Sequence, residues 1–275
     1  MLKDYKNHVQ ERLQQGIPPL PLNAEQVSEL VELLKFPPEG EEDYILDLIT
    51  NRTPAGVDPA AYVKAGFLTA IAKDETTSPL VDKKHATRLL GTMLGGYNVE
   101  SLIGLLEDEE VGEIAADGLS KTLLMFNAKH DVIELAEKNT NAKKVVDSWS
   151  DAEWFTSRPK LPEVIKAIVF RVEGEINTDD LSPAPDAPSR PDIPLHALAM
   201  LKKTMEDPIS TIESLKESGL PVVFVGDVVG TGSSRKSATN SLLWHIGEDI
   251  PFIPNKKQAG ICICLLYTSD AADEW

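Results

Sequence analysis

A chain of 275 residues, 42% apolar and 26% charged, has material for one large soluble domain or two ordinary ones. Its formal net charge of −17 opposes general attraction to phosphate backbones, and no run approaches the ~18 consecutive apolar residues of a membrane span. Two cysteines, Cys262 and Cys264, exclude a disulfide framework and cannot alone ligate a cluster that needs three or more thiolates.

The opening residues, MLKDYKNHVQERLQQG, are charged and helical in pattern, without the apolar centre of a signal peptide, so a cytoplasmic protein is expected. Residues 1 to about 157 read as helices throughout. Asn23 with Gln26 forms a capping-box pattern, followed by Val27, Leu30, Val31 and Leu34 at helical spacing. Pro37 and Pro38 stop that helix. Asp58-Pro59 places an N-cap before a proline at the first helical position and opens a helix through Tyr62, Phe67, Leu68 and Ile71. Further helical stretches centre on Tyr44–Leu48, His85–Met93, Leu102–Leu106, Ala115–Phe126 and Ile133–Trp149. The breaks between them suit stacked helix pairs of an α-solenoid, although no clean internal repeat is present. Nothing in this half looks catalytic; His85 and His130 are lone helical histidines that read as packing or surface residues.

Ser157-Arg-Pro-Lys-Leu-Pro162 reads as a linker, and the pattern then changes. A period-two run through Ile165, Ala167, Val169 and Arg171 has strand character. The proline-dense stretch from Asp180 to Pro194 is expected to be a stiff loop that cannot pair in a central sheet and holds side chains in place without long helices or strands. Helical pieces follow at His196–Lys203 and Ile209–Ser218, and then an apolar strand from Pro221 to Val225. That strand leads into Gly226-Asp-Val-Val-Gly-Thr-Gly232-Ser-Ser-Arg-Lys-Ser237, expected to be a glycine loop with a helix starting near Ser234. Free N–H groups at such a helix start, beside a guanidinium, make an anion site. A Walker loop would need Gly-Lys-Ser/Thr where Arg235 stands, and a dinucleotide fingerprint would need a third glycine. A plain strand-to-helix turn with an N-capping serine remains open beside an anion site.

Gly232-Ser-Ser-Arg235 after a buried strand, together with Asn177-Thr-Asp-Asp-Leu-Ser-Pro-Ala184 and Ser189-Arg190, resembles the swivel domain of aconitases. Trp149-Ser-Asp-Ala-Glu-Trp154, the run from Asn177 to Lys202 and the run from Val225 to Ser241 are similar to the B type of that family, and the resemblance covers residues 1 to about 263. It implies an α + α/β architecture: a HEAT-like helical solenoid over 1–157 and an incomplete swivel domain over 158–263. From Cys264 the chain reads Cys-Leu-Leu-Tyr-Thr-Ser-Asp-Ala-Ala-Asp-Glu-Trp275, which resembles a translated transposase adapter, so residues 264–275 are expected to be non-native.

The resemblance also implies chemistry: a hydro-lyase that interconverts citrate and isocitrate through cis-aconitate, and hydrates 2-methyl-cis-aconitate as well. Ser233 matches the general base that takes the substrate's α-proton and also touches substrate. Ser234 and Arg235 match substrate-binding positions, Arg190 an arginine that grips a carboxylate, and Asp179 an active-site aspartate. Paired arginines and a helix N-terminus suit a tricarboxylate. Lys236 and Ser237 depart from the histidine-containing pattern of other aconitases but carry none of these roles. The family's [4Fe–4S] cluster, held by three cysteines in domains beyond the swivel, polarises the departing hydroxyl. Cys262 is not one of them and the family's histidine acids are absent, so this chain is expected to bind no metal itself and to be inactive alone. Messenger-RNA binding without the cluster and homodimerisation through the helical domain are further implied partners. A stand-alone protein- or RNA-interaction module is the alternative reading, and an anion-binding protein using Arg190 and Arg235 is a third.

Overall fold

The computed structural model describes residues 1–258 apart from 123, 158, 159 and 161. Cys262, Cys264, the adapter-like tail and part of the expected linker lie outside the described residues. The chain divides into two compact units, one of residues 1–4, 21–160 and 251–254, the other of residues 5–20, 161–250 and those from Asn255. Neither unit is continuous in sequence. The first helix, α1 (Leu2–Gln14), counts with the second unit from Tyr5 onward.

The first unit is helical: α2 (Ala24–Lys35), α3 (Glu42–Asn51), α4 (Pro59–Ala72), α5 (Lys83–Gly91), α6 (Val99–Leu105), α7 (Gly112–Ser120), α8 (Lys129–Leu135), α9 (Thr140–Ser150) and α10 (Glu153–Thr156). Its starts follow the local chemistry. Asn23 Oδ1 accepts from Gln26 N–H while Gln26 Oε1 accepts from Asn23 N–H, so both halves of the capping box form. Asp58 accepts from Ala60 N–H ahead of Pro59. α2 packs on α3 and α4, α4 on α5, α5 on α6 and α7, and α7 on α9. The approach of α5 to α7 is set by Gly91 and Gly118, since a Cβ on Gly118 would stand 2.9 Å from the Gly91 Cα. His85 lies half-buried on α5 and His130 exposed on α8.

Two expected helical stretches are shorter than their periodicity suggests. The run to Phe126 stops at Ser120, where Thr122 Oγ1 donates back to the Gly118 carbonyl and Leu124 leaves the helix to bridge Gly95. The run from Ile133 to Trp149 is two helices, because Asn139 caps α9 by accepting from Ala142 N–H and also donates to the Leu106 carbonyl.

The second unit is built on two parallel strands, β1 (Ile168–Asn177) and β2 (Val222–Thr231), paired from Ile168 with Val222 to Asn177 with Thr231. Between them run α11 (Thr178–Leu181), a 3-10 helix (Ala184–Ser189), α12 (Ile193–Ala197) and α13 (Pro208–Lys216); after β2 come α14 (Arg235–Ile246), β3 (Glu248–Asp249) and β4 (Lys257–Gln258). Phe170, Val172 and Ile176 of β1 pack with Leu181, Met200, Leu201, Ile212, Val222 and Leu242 as one core. Each large apolar side chain buried there contributes about 2 kcal/mol. Buried His245 donates from Nε2 to the Ala197 carbonyl at 2.9 Å and so ties α14 to α12.

Three expectations change in this unit. The proline-dense stretch is less of a loop than expected, since it holds two short helices: Pro185 and Pro194 stand in the first turns of the 3-10 helix and of α12, where a missing N–H costs nothing, and Pro188 lies inside the 3-10 helix. The piece from His196 to Lys203 leaves its helix at Ala197 and continues as turns. Most of the expected glycine loop is strand, because β2 stays paired to β1 as far as Thr231, with irregularities at Glu173-Gly174 and at Gly230 taking up two register shifts. Gly174 has φ +82° and donates its N–H to Asp227 at 2.8 Å.

α1 is fastened to this unit by a buried pair. Arg12 donates through Nη1 and Nη2 to the two carboxylate oxygens of Asp192, at 2.6 and 2.9 Å, and through Nε to the Pro18 carbonyl. Asp192 in turn caps α12 by accepting from Leu195 N–H. No described helix is long and apolar enough to cross a membrane.

Candidate functional site

Parallel strands deliver their C-terminal ends to one edge, the place where α/β folds bind ligands. Here those ends are Asn177 and Thr231, register partners. Past Asn177 the chain turns at once into α11, since Asn177 Oδ1 accepts from the N–H groups of Asp179 and Asp180 and Asp180 Oδ2 accepts from Asn177 N–H. This capping box leaves the Asp179 carboxylate exposed at the turn. Past Thr231 the chain passes through Gly232 at φ +105°, and a Cβ there would fall 2.4 Å from Thr178 Oγ1. Only glycine fits such a position. Buried Thr178 accepts from Ser234 N–H at 3.3 Å, which joins the two turns.

Ser234 occupies the N-cap position of α14, yet its hydroxyl makes no capping bond. It accepts from Arg190 Nη2 at 3.3 Å. A plain N-capping serine is therefore not what the turn contains. Arg190, at the end of the 3-10 helix, also donates from Nε to Ser182 Oγ and from Nη2 to the Ser182 carbonyl, both at 3.2 Å. One edge of the guanidinium is thus fixed; Nη1 donates to nothing among the described residues and is left for a ligand oxygen.

Behind Ser182 stands His196, 2% exposed. Its Nε2 lies 2.8 Å from Ser182 Oγ, and its Nδ1 lies 2.8 Å from Ser189 Oγ and 3.1 Å from the Asp186 carbonyl. Burial holds its pKa below the usual imidazole value; the Asp186 carbonyl opposes that shift, and the nearby charges of Arg190 and Lys202 add to it.

The structure thus brings Arg190 onto Ser234 directly and sets Asp179 beside Thr178, which holds the Ser234 backbone. Arg235 opens α14, half-buried, and Ser233 is exposed on the turn before it. Among the described residues the hydroxyl of Ser233 and the carboxylate of Asp179 bond to no other member of the set. Sequence reasoning missed Thr178, Ser182, Ser189 and His196 as supports. The signal available was two serines flanking the prolines, with a histidine at the start of the next apolar run. The first-turn N–H groups of α14 stand at this edge with Arg190, Arg235 and Lys236, across from the carboxylates of Asp179, Asp180 and Glu175. The donor side suits an anion with several carboxylates.

Comparison with known proteins agrees in both halves. Residues 4–155 match the family model described as Aconitate B N-terminal domain, and residues 167–266 match Aconitate hydratase 2 N-terminus. The chain is 61% identical to Aconitate hydratase B of Pseudomonas aeruginosa over 273 residues, 95% of this chain and 31% of that protein. It is 60% identical to Aconitate hydratase B of Synechocystis sp. (94% of this chain, 30% of that protein) and 59% identical to that of Escherichia coli (96% and 32%). The chain therefore spans about a third of the length of the curated relatives it matches. A family model over more than half of its residues, and this identity across nearly all of them, make the chain a member of the aconitase B family.

Proposed function

We propose that the chain contributes the carboxylate-binding edge of an aconitate hydratase, a hydro-lyase acting on citrate, cis-aconitate and isocitrate, with 2-methyl-cis-aconitate as a further substrate. The observation that carries this reading is the fixed guanidinium of Arg190, held on Ser182 and Ser234 at the C-terminal strand edge with Nη1 turned to no protein partner among the described residues. Arg190 and Arg235 take substrate carboxylates, the α14 N-terminus adds its dipole, and Ser234 sets the distance between them. Asp179 stands exposed at the turn after β1, on the same edge. In this reading the first unit is a HEAT-like helical stack and the second a swivel domain.

Ser233 is assigned as the base for the substrate's α-proton. A serine hydroxyl does this work only where donors stabilise its alkoxide away from water, and in this chain it is exposed. An iron–sulfur cluster, the group that polarises the departing hydroxyl in the family, does not fit the described residues. Among them no three His, Cys, Asp or Glu side chains converge as ligands would. This chain's part is binding and orientation.

Calorimetry of the purified chain with citrate tests the reading. Saturable binding is expected, weakened at least about tenfold by Arg190→Ala, the loss of one charge-assisted contact. The same chain is expected to give no citrate-to-isocitrate turnover after cluster reconstitution. No heat at millimolar citrate, or an affinity indifferent to both Arg190→Ala and Arg235→Ala, overturns the binding role. Measurable turnover overturns the assignment of Ser233's exposed setting as incompetent.

A further inference from the structure

The hydrogen bonds around His196 have only one consistent direction. Ser189 Oγ donates to the Asp186 carbonyl at 2.6 Å, so its proton is committed and its lone pair faces His196 Nδ1. The Asp186 carbonyl, the other atom near Nδ1, can only accept. Nδ1 therefore carries a hydrogen. In the neutral ring Nε2 is then bare, and it accepts the proton of Ser182 Oγ at 2.8 Å. With its one proton spent on the ring, Ser182 Oγ turns a lone pair to Arg190 Nε–H. Arg190 in turn reaches Ser234, so a single directed chain runs from a fully buried imidazole to the turn before α14.

We propose that His196, locked as the neutral Nδ1–H tautomer, is a positioning residue for Arg190: it dictates the polarity of the Ser182 hydroxyl and thereby the orientation of the guanidinium that meets substrate. A protonated ring would take the acceptor away from the Ser182 proton and force that hydroxyl to turn. Ser182 Oγ would then face hydrogens from both the imidazolium and the guanidinium, and two cations would share one hydroxyl. The charged groups around the ring are Arg190, Lys202 and Asp186, the last two paired with each other. The proposal rests on the reading of Arg190 as a carboxylate-binding group, but its first readout does not need a ligand.

Two substitutions separate positioning from packing. Glutamine places its amide oxygen where Nε2 lies and can still accept from Ser182. Asparagine keeps an amide near Nδ1, satisfying Ser189 and Asp186, and loses Ser182. In the ligand-free 275-residue chain, nitrogen shifts of the imidazole should report the Nδ1–H form. Arg190 Nε–H should be protected from solvent exchange in the native chain and in His196→Gln, and lose protection by about tenfold in His196→Asn. Citrate affinity should follow the same order, with His196→Asn costing about tenfold and adding nothing to Arg190→Ala. An Nε2–H tautomer, equal protection in the two variants, or full affinity in a folded His196→Asn chain overturns the proposal. If Arg190 protection follows the expected order while citrate gives no heat in the native chain, the positioning role stands and the substrate reading fails instead.

Discussion

Lys64 is the least comfortable residue of the helical unit. It sits on α4 among alanines and leucines, 2% exposed, with Nζ 3.5 Å from the Thr50 carbonyl and, among the described residues, no carboxylate paired to it. Burial lowers its pKa from 10.5 to about 8. The folded state thus disfavours the charged form. Above about pH 10.5 both states are neutral and nothing is lost, whereas below about pH 8 both are charged and the whole penalty, about 3 kcal/mol, weighs on the fold. Stability of the helical unit should therefore rise as pH increases from 8 to 10.5. Lys64→Met should raise the urea midpoint at pH 7 and flatten that rise; a variant less stable than the native chain at pH 7 would contradict the account. His196 shows the same principle at the candidate site, where acidification below the usual imidazole pKa favours the unfolded chain and works against the Arg190 network.

At the scale of elements, packing decides what propensity leaves open. Gly118→Ala should destabilise by about 1–2 kcal/mol although alanine is the better helix former, because its Cβ meets the α5 backbone at 2.9 Å. Gly104→Ala, at an exposed position of α6 with nothing within 4 Å, should instead stabilise by about 0.5–1 kcal/mol. Denaturant midpoints with opposite signs for the two would confirm that the helix contact, and not glycine itself, matters. The same division explains what could be read in advance. Asn23 with Gln26, and Asp58 with Pro59, announce helix starts because a cap is local chemistry. The segment Gly226–Thr231 looks like a loop because its glycines are visible in sequence and its partner β1, more than 50 residues earlier, is not. Arg190, Ser233, Ser234 and Arg235 were singled out through family motifs alone, and their roles belong to the proposed function. His196 was not, because a histidine beginning an apolar helical run has no distinctive signature until the hydroxyls around it are placed.

Across the whole second unit, the Arg12–Asp192 pair is a long-range fastening made by side chains only 7% and 16% exposed. Removing one partner of such a pair strands the other. Arg12→Ala should therefore cost about 3 kcal/mol and loosen the cap of α12, the helix that carries His196. Thermal unfolding of the second unit at a lower temperature, with citrate affinity reduced in parallel, is the expected result; an unchanged unfolding temperature would mean that the pair contributes no net stability.

That fastening also has a schedule. Arg12 and Asp192 stand 180 residues apart, and the strands and the remaining helices of the second unit leave the ribosome only after the helical segment between them. At about 5–20 residues per second, Arg12 waits roughly 9 to 36 seconds for its partner to be synthesised. Residues 21–160 can complete their fold in that interval, so a helix made before them packs only after them.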